Sequence, residues 1–320
     1  MALIDVRNLE RTFTVRRKRG GLTRERTEVR AVSDITFSIE AGEMVGYIGP
    51  NGAGKSTTIK MLTGILVPTG GHLSVAGLDP SRRRTELAKR IGVVFGQRTT
   101  LWWDLPLRDS FELLQKIYRV PDPRFRANLA AYVELLDLGD LLDTPVRQLS
   151  LGQRMRGDIT AALLHDPEIL YLDEPTIGLD VISKGRLREF LRTLNAERGT
   201  TLMLTTHDLQ DIEALCDRVL VIDHGTLVFD GPLAELHRTG GSTRTLVVDL
   251  VDEAPPIEVP GATTRKVEGP RQWLSFPSDA SAAPIVAAVA ASYDVADLSI
   301  HEPDIEDVIR ELYQDETRLR

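Results

Sequence analysis

Cysteine is almost missing from this chain: Cys216 is the only one in 320 residues. A single thiol excludes an internal disulfide framework and a cysteine-built metal site, and it suits a reducing compartment. Also missing is any run approaching the ~20 apolar residues that span a bilayer. The longest candidate, "APIVAAVAAS" ending at Ser292, is short and alanine-rich and reads as a packed helix. The opening residues, "MALIDVRNLERTF", carry acidic and polar side chains where a signal peptide would be continuously apolar. An excess of positive charge is lacking too. Net charge is −8 and the pI near 5.4, which argues against a nucleic-acid binder. What remains, 42% hydrophobic and 27% charged residues, is enough to bury a globular core. If the protein works at a membrane, something else must bring it there.

Short apolar runs alternate with helical periods over most of the chain. "DITFSI", "MVGYIG", "GVVFG", "EILYLDE", "TLMLTTH" and "RVLVID" read as strands, with "KSTTIKMLTGIL" and "GRLREFLRTLNAE" among the helices between them. Near-continuous apolar strands alternating with helices predict an α/β fold whose sheet has a parallel centre covered on both faces. Residues of about 107–166 read as helix after helix, a helical insertion. "HRTGGSTR", His237 to Arg244, is a turn-rich break. It predicts one domain over residues 1–238 and a small α+β domain over 239–320. The latter carries strand-like "TLVVDLV", "TTRKVEG", "QWLSF" and "VADLSIH", the alanine-rich helix and "DIEDVIRELYQD". The basic stretch "RRKRGGLTRER", Arg16 to Arg26, reads as a solvated hairpin loop or as a contact with an anionic membrane surface or acidic partner.

The chemistry starts at "GPNGAGKST". Gly49, Pro50, Asn51, Gly52, Ala53, Gly54, Lys55, Ser56 and Thr57 match G-x-x-x-x-G-K-[ST] between a strand and a helix, the context that makes this pattern a phosphate-binding loop. The glycines let backbone N–H groups close around phosphate oxygens at a helix start. Lys55 is expected to reach the β- and γ-phosphates of a bound nucleotide, and Ser56 to ligate Mg²⁺. "ILYLDE" is a buried strand ending in two acids at the edge where α/β sheets bind ligands. Asp173 is expected to hold Mg²⁺ through water, and Glu174 to accept the proton of an attacking water. His207 ends another strand. A lone histidine is ordinarily structural, but at this edge it can bond a γ-phosphate oxygen. Gln97 follows "VVFG" in the same manner and can contact Mg²⁺ and the water. "LSLGQ", far away in sequence, starts a helix with a capping box made by Ser150 and Gln153.

The order "GPNGAGKST", Gln97, "LSLGQ", "ILYLDEP", "GLD" and "TTHD" resembles the ATP-binding cassette (ABC) ATPases, over roughly residues 2–236. Within them "LSLGQRMRGDITAALLHDPEILYLDEPTIGLD" resembles the ATPase subunits of ABC-2-type exporters, and the basic insertion, "GQRTTLWWDLP" and the C-terminal domain resemble a multidrug or viologen exporter group. The resemblance implies a P-loop NTPase core with an N-terminal antiparallel β subdomain and a helical subdomain. It implies ATP hydrolysis by two copies paired head-to-tail around two ATP molecules, coupled to separate permease subunits at the cytoplasmic face of the cell membrane. It further implies that Phe13 stacks on adenine, that Asp180 crosses between subunits, and that "TTLWWDLP", with Trp102 and Trp103, meets the permease. Ser150, Gly152 and Gln153 would face the γ-phosphate of an ATP held by the other copy. Leu151 departs from the commonest form, which has glycine. A left-handed backbone would cost a leucine roughly 1–2 kcal/mol, so a negative φ is expected there. The alternative is a soluble ABC ATPase acting on ribosomes or DNA. Such translation factors usually carry two cassettes and the repair relatives coiled coils or zinc modules, and this sequence has neither.

Overall fold

A computed structural model describes residues 2–18, 24–96, 98–206, 208–239, 243–277 and 280–301. Gln97, His207, part of the basic stretch Arg16 to Arg26, and the segment "DIEDVIRELYQD" lie outside the described residues.

The chain runs β1 (Ile4–Lys18), β2 (Arg24–Ile39), β3 (Met44–Ile48), α1 (Lys55–Leu62), β4 (Gly70–Val75), α2 (Arg84–Leu87), β5 (Ile91–Phe95), α3 (Leu107–Tyr118), α4 (Asp122–Leu135) and α5 (Leu151–Leu163). It continues through β6 (Ile169–Asp173), α6 (Val181–Arg198), β7 (Thr201–Thr205), α7 (Leu209–Leu215), β8 (Arg218–Asp223) and β9 (Thr226–Pro232). Then follow α8 (Leu233–Thr239), β10 (Thr243–Leu250), β11 (Thr263–Glu268), β12 (Arg271–Pro277), α9 (Ala282–Ser292) and β13 (Val295–His301). Two compact units result, Met1–Gly231 and Pro232–Arg320. The division falls ahead of the turn-rich break because α8 follows β9 directly and belongs to the second unit.

The first unit holds two sheets, and the burial of their strands follows from how many faces are covered. In the antiparallel sheet β2-β1-β4, Val32, Ile35, Phe37 and Ile39 of β2 are buried, and from Ile35 on they alternate with exposed residues. That is the period-2 pattern of a strand with one solvated face. The six-stranded sheet has the order β5-β6-β7-β3-β8-β9, with β5-β6, β6-β7, β7-β3 and β3-β8 parallel. Its central strands are buried almost without interruption, β7 at every position, the pattern of a sheet covered on both faces. Ile4, Val6, Ile59, Tyr171 and Met203 join both sheets and α1 in one hydrophobic core. The register pairs Phe95 with Asp173 and Asp173 with Thr205, so these strands end level at one carboxyl edge. Parallel sheets bind ligands at that edge. The second unit is a four-stranded antiparallel sheet, β11-β12-β10-β13, with Ile285 and Val289 of α9 in its core.

α3, α4 and α5 make up the helical insertion. Its junction with the sheet contains His165, 9% exposed, stacked on Tyr118 with ring centroids 4.1 Å apart. Nε2 is 3.0 Å from the Ile91 carbonyl and must donate to it, while Nδ1 is buried without a partner. Burial holds the imidazole below its ordinary pKa, against the Ile91 hydrogen bond and the nearby Asp166. The unfolded chain takes up this proton at about pH 6.5, where the folded chain does not. The neutral ring's full contribution to stability is therefore present above that pH and is lost progressively as pH falls below it. His165→Gln, which keeps a donor for Ile91, should flatten the decline of the melting temperature between about pH 7 and about pH 5.5. Parallel declines in both proteins would remove His165 as the titrating group.

Candidate functional site

The loop between β3 and α1 is shaped by its glycines. Gly54 caps α1 with φ +113°, and a Cβ there would lie 2.5 Å from the Ala31 carbonyl oxygen. Only glycine fits both the backbone angle and the gap. No side chain caps α1, so the N–H groups of its first turn are open to an anion. Lys55, 8% exposed, folds its Nζ back to donate to the carbonyls of Gly49 and Pro50. Burial lowers its pKa, opposed by Glu174 and then Asp173. Its direct acceptors are neutral carbonyls, so a phosphate oxygen offers this ammonium a stronger, charge-assisted partner.

Two acids face this loop. Asp173 closes β6; its Oδ1 accepts from the Thr205 hydroxyl, and its Oδ2 is 3.5 Å from Ser56 Oγ. A hydroxyl and a carboxylate converging this closely are hard oxygen donors that fit Mg²⁺. Glu174 has φ +55°, and its N–H donates to the Thr205 carbonyl at 2.8 Å. A glutamate held in the left-handed region is strained by ~1–3 kcal/mol and persists where the surroundings impose it. Lys55, Ser56, Thr57, Asp173 and Glu174 line one cleft of about 520 Å³, together with Asn51, Gly52, Gly54, Ala31, Lys60 and Arg98. Gly49 and Pro50 meet Lys55 through their carbonyls, and Ala53 is buried behind the loop, its carbonyl accepting from the Gly225 N–H.

Other expected site residues lie elsewhere. Ser150 and Gln153 form both bonds of the capping box at the start of α5. Such a cap is worth ~0.5–2 kcal/mol. Leu151 is the first residue of α5 and is not among the positive-φ residues. Asp180 caps α6, accepting from the Ser183 N–H and hydroxyl, which hold its carboxyl below the usual range. Ser150, Gly152, Gln153 and Asp180 do not line the cleft. Phe13, on β1, pairs with Val29 of β2, carries the Arg11 guanidinium 4.6 Å from its ring centroid, and also stands outside the lining. Trp102 and Trp103 are 38% and 51% exposed. Their loop is fastened to α5 by Asp158, which accepts from the Thr100 N–H at 2.8 Å and the Thr99 hydroxyl at 2.9 Å, and by Arg154 over the Trp103 ring.

Sequence reasoning missed several supports. Thr205 orients Asp173 from the neighbouring strand β7, a pairing that only the sheet register reveals. Arg98, next to Gln97, lines the cleft. Fully buried Asp211 of α7 accepts from Thr176, from Thr206 and from Arg188 of α6. It thereby ties the turn after Glu174 to the start of α7, where Asp208 accepts from Lys184. Nothing in the local pattern marks that carboxylate.

The ABC transporter family matches residues 32–177. The daunorubicin resistance ATP-binding protein DrrA3 of Streptomyces coeruleorubidus is 32% identical over 91% of this chain and 93% of its own length. That match reaches well into the second unit. The Nod factor export ATP-binding protein I of Burkholderia orbicola (strain AU 1054) is 37% identical over 72% of this chain and 71% of its own. Among solved structures, the dimeric post-hydrolysis state of the ATP-binding cassette MJ0796 bound to ADP and Pi is 27% identical. It has a TM-score of 0.62 over 72% of this chain and 98% of that one.

Proposed function

Because the chain belongs to the ATP-binding proteins of ABC transporters, we propose that two copies pair head-to-tail around two ATP molecules and drive an exporter through separate permease subunits. The chain is an ATPase that works as the motor subunit of such an exporter. One observation carries the pairing. The cleft collects Lys55, Ser56, Asp173 and Glu174 but leaves the start of α5, at Ser150 and Gly152, outside it. Half of a phosphate site without its other half is what a second copy completes.

In this reading the loop N–H groups and Lys55 hold the β- and γ-phosphates. Ser56 and Asp173 would hold Mg²⁺, with Gln97; the ion, when bound, offsets negative charge on the phosphate oxygens. Glu174 takes a proton from the water whose oxygen attacks the γ-phosphorus, the bond to the β–γ bridging oxygen breaks, and ADP and phosphate leave. His207 bonds the γ-phosphate, Phe13 stacks on adenine, and Asp180 reaches across the pair. Among the described residues no helix is long and apolar enough to cross a membrane. In this reading the permeases hold the chain at the cytoplasmic face, and Arg16 to Arg26 add a contact to anionic lipid.

The exposed tandem Trp102 and Trp103, anchored on α5, favour the permease over ribosome or DNA partners. Pull-down of the Glu174→Gln variant with ATP in mild detergent should recover integral membrane proteins. Replacing both tryptophans with alanine should reduce that recovery at least ~tenfold. Recovery of ribosomal RNA or DNA in their place would overturn the exporter reading.

A further inference from the structure

The start of α5 and the turn that follows Glu174 interlock within one subunit. Gly178 has φ +73°, and a Cβ on it would overlap Leu151 Cδ2 and lie 2.9 Å from Leu151 Cγ. One residue along on each side the roles reverse. A Cβ on Gly152 would lie 2.8 Å from Leu179 Cδ2. Leu151 thus occupies the space left by Gly178, and Leu179, 9% exposed, occupies the space left by Gly152. Leucine and glycine alternate in opposite order in "LG" of residues 151–152 and "GL" of residues 178–179, which is why two such short segments mesh.

The turn is itself tightly wound. The Ile177 N–H donates to the Glu174 carbonyl at 3.3 Å, and the Leu179 N–H to the Thr176 carbonyl at 3.2 Å. Thr176 is pinned to buried Asp211 at 2.5 Å, and Asp180 caps α6. A displacement of residues 178–179 is therefore felt at Glu174 on one side and at α6 on the other. Packed contacts of this kind transmit displacements because interiors yield little.

We propose that Leu151 is a positioning residue: seated on Gly178, it locks the helix start that faces a partner's ATP to the turn carrying this subunit's own Glu174, so that each copy links the two nucleotide sites of a pair. This rests on the head-to-tail pairing proposed above. It also gives a reason for leucine in a place where glycine is commonest: glycine cannot fill the space over Gly178. Leu151 is 39% exposed, so its truncation leaves the hydrophobic core untouched.

The test uses the full chain and measures ATP affinity, kcat and the Hill coefficient for ATP. Leu151→Ala keeps a helix-forming backbone and removes the knob. It should leave ATP binding by the unpaired chain within about twofold, lower kcat at least ~fivefold, and bring the Hill coefficient towards one, as expected when neighbouring groups are uncoupled. Leu151→Met, which refills the space, should restore most of both. Gly178→Ala should be less damaging beside Leu151→Ala than alone, because only the positive-φ strain then remains. Wild-type kcat and Hill coefficient in Leu151→Ala, or additive losses in the double variant, would overturn the lock. If Glu174→Gln with Leu151 intact does not pair when ATP is added, the pairing itself falls and the inference falls with it. The two failures are thus told apart.

Discussion

Glu174→Gln should lower steady-state ATP turnover by about 10²–10⁴-fold, the usual worth of a positioned general base, while ATP-driven pairing of the chains persists. The Glu174 backbone has φ +55° and its N–H donates to the Thr205 carbonyl, and the residue lines the cleft together with Lys55. Glutamine has nearly the same shape, so the cleft, Asp173 and the loop around Lys55 are undisturbed and ATP still binds. What glutamine lacks is a basic oxygen to receive the proton of water. Sedimentation with ATP should show the pair accumulating, because closure proceeds and reopening by hydrolysis does not. Turnover close to that of the wild type would remove Glu174 as the base.

The second large effect is expected at Lys55. Replacing it with methionine removes a buried ammonium whose present acceptors are the Gly49 and Pro50 carbonyls. With nucleotide bound, the lost interactions are hydrogen bonds to charged phosphate oxygens, each worth ~1.5–3 kcal/mol. ATP affinity should therefore fall at least ~100-fold, read by titration with a fluorescent nucleotide. Stability should move the other way or scarcely at all. Burial already disfavours the charged amine, and a methionine of similar length fills the space without that desolvation cost. A variant that binds ATP normally would exclude Lys55 from the phosphate site. One that loses binding and melts far below the wild type would mark it as a structural residue. Glu174→Gln and Lys55→Met thus separate chemistry from binding at positions that share one cleft.

Most of the six-stranded sheet and its ligand edge were legible in the sequence. Strands such as "ILYLDE" and "TLMLTTH" are short apolar runs that end in polar residues, and buried parallel strands require that composition wherever they occur. "GPNGAGKST" was legible for a related reason: its glycines satisfy backbone demands set within a few residues, as φ +113° at Gly54 illustrates. The capping box at Ser150 and Gln153 is equally local, each residue meeting the other three positions away. The turn-rich break at residues 237–244 and the division between Gly231 and Pro232 do not coincide. Turn-rich composition marks a change of style in the sequence, whereas contacts assign α8 to the unit that follows it.

Pairings between segments far apart along the chain emerge only on folding. Thr205 steadies Asp173, Asp211 gathers Thr176, Thr206 and Arg188, and Asp158 fastens the tryptophan loop to α5. Leu151 read alone is a departure from a glycine; against Gly178 it is a fitted side chain. The physical reason is range. Backbone propensity, capping and loop geometry act over a few residues and are written in consecutive letters. A buried carboxylate's donors or the gap over a glycine depend on which surfaces packing brings together, and no local pattern carries that. Consecutive residues were enough to specify the elements, the phosphate loop and the acids at the sheet edge, and packing chose which residues hold them in place.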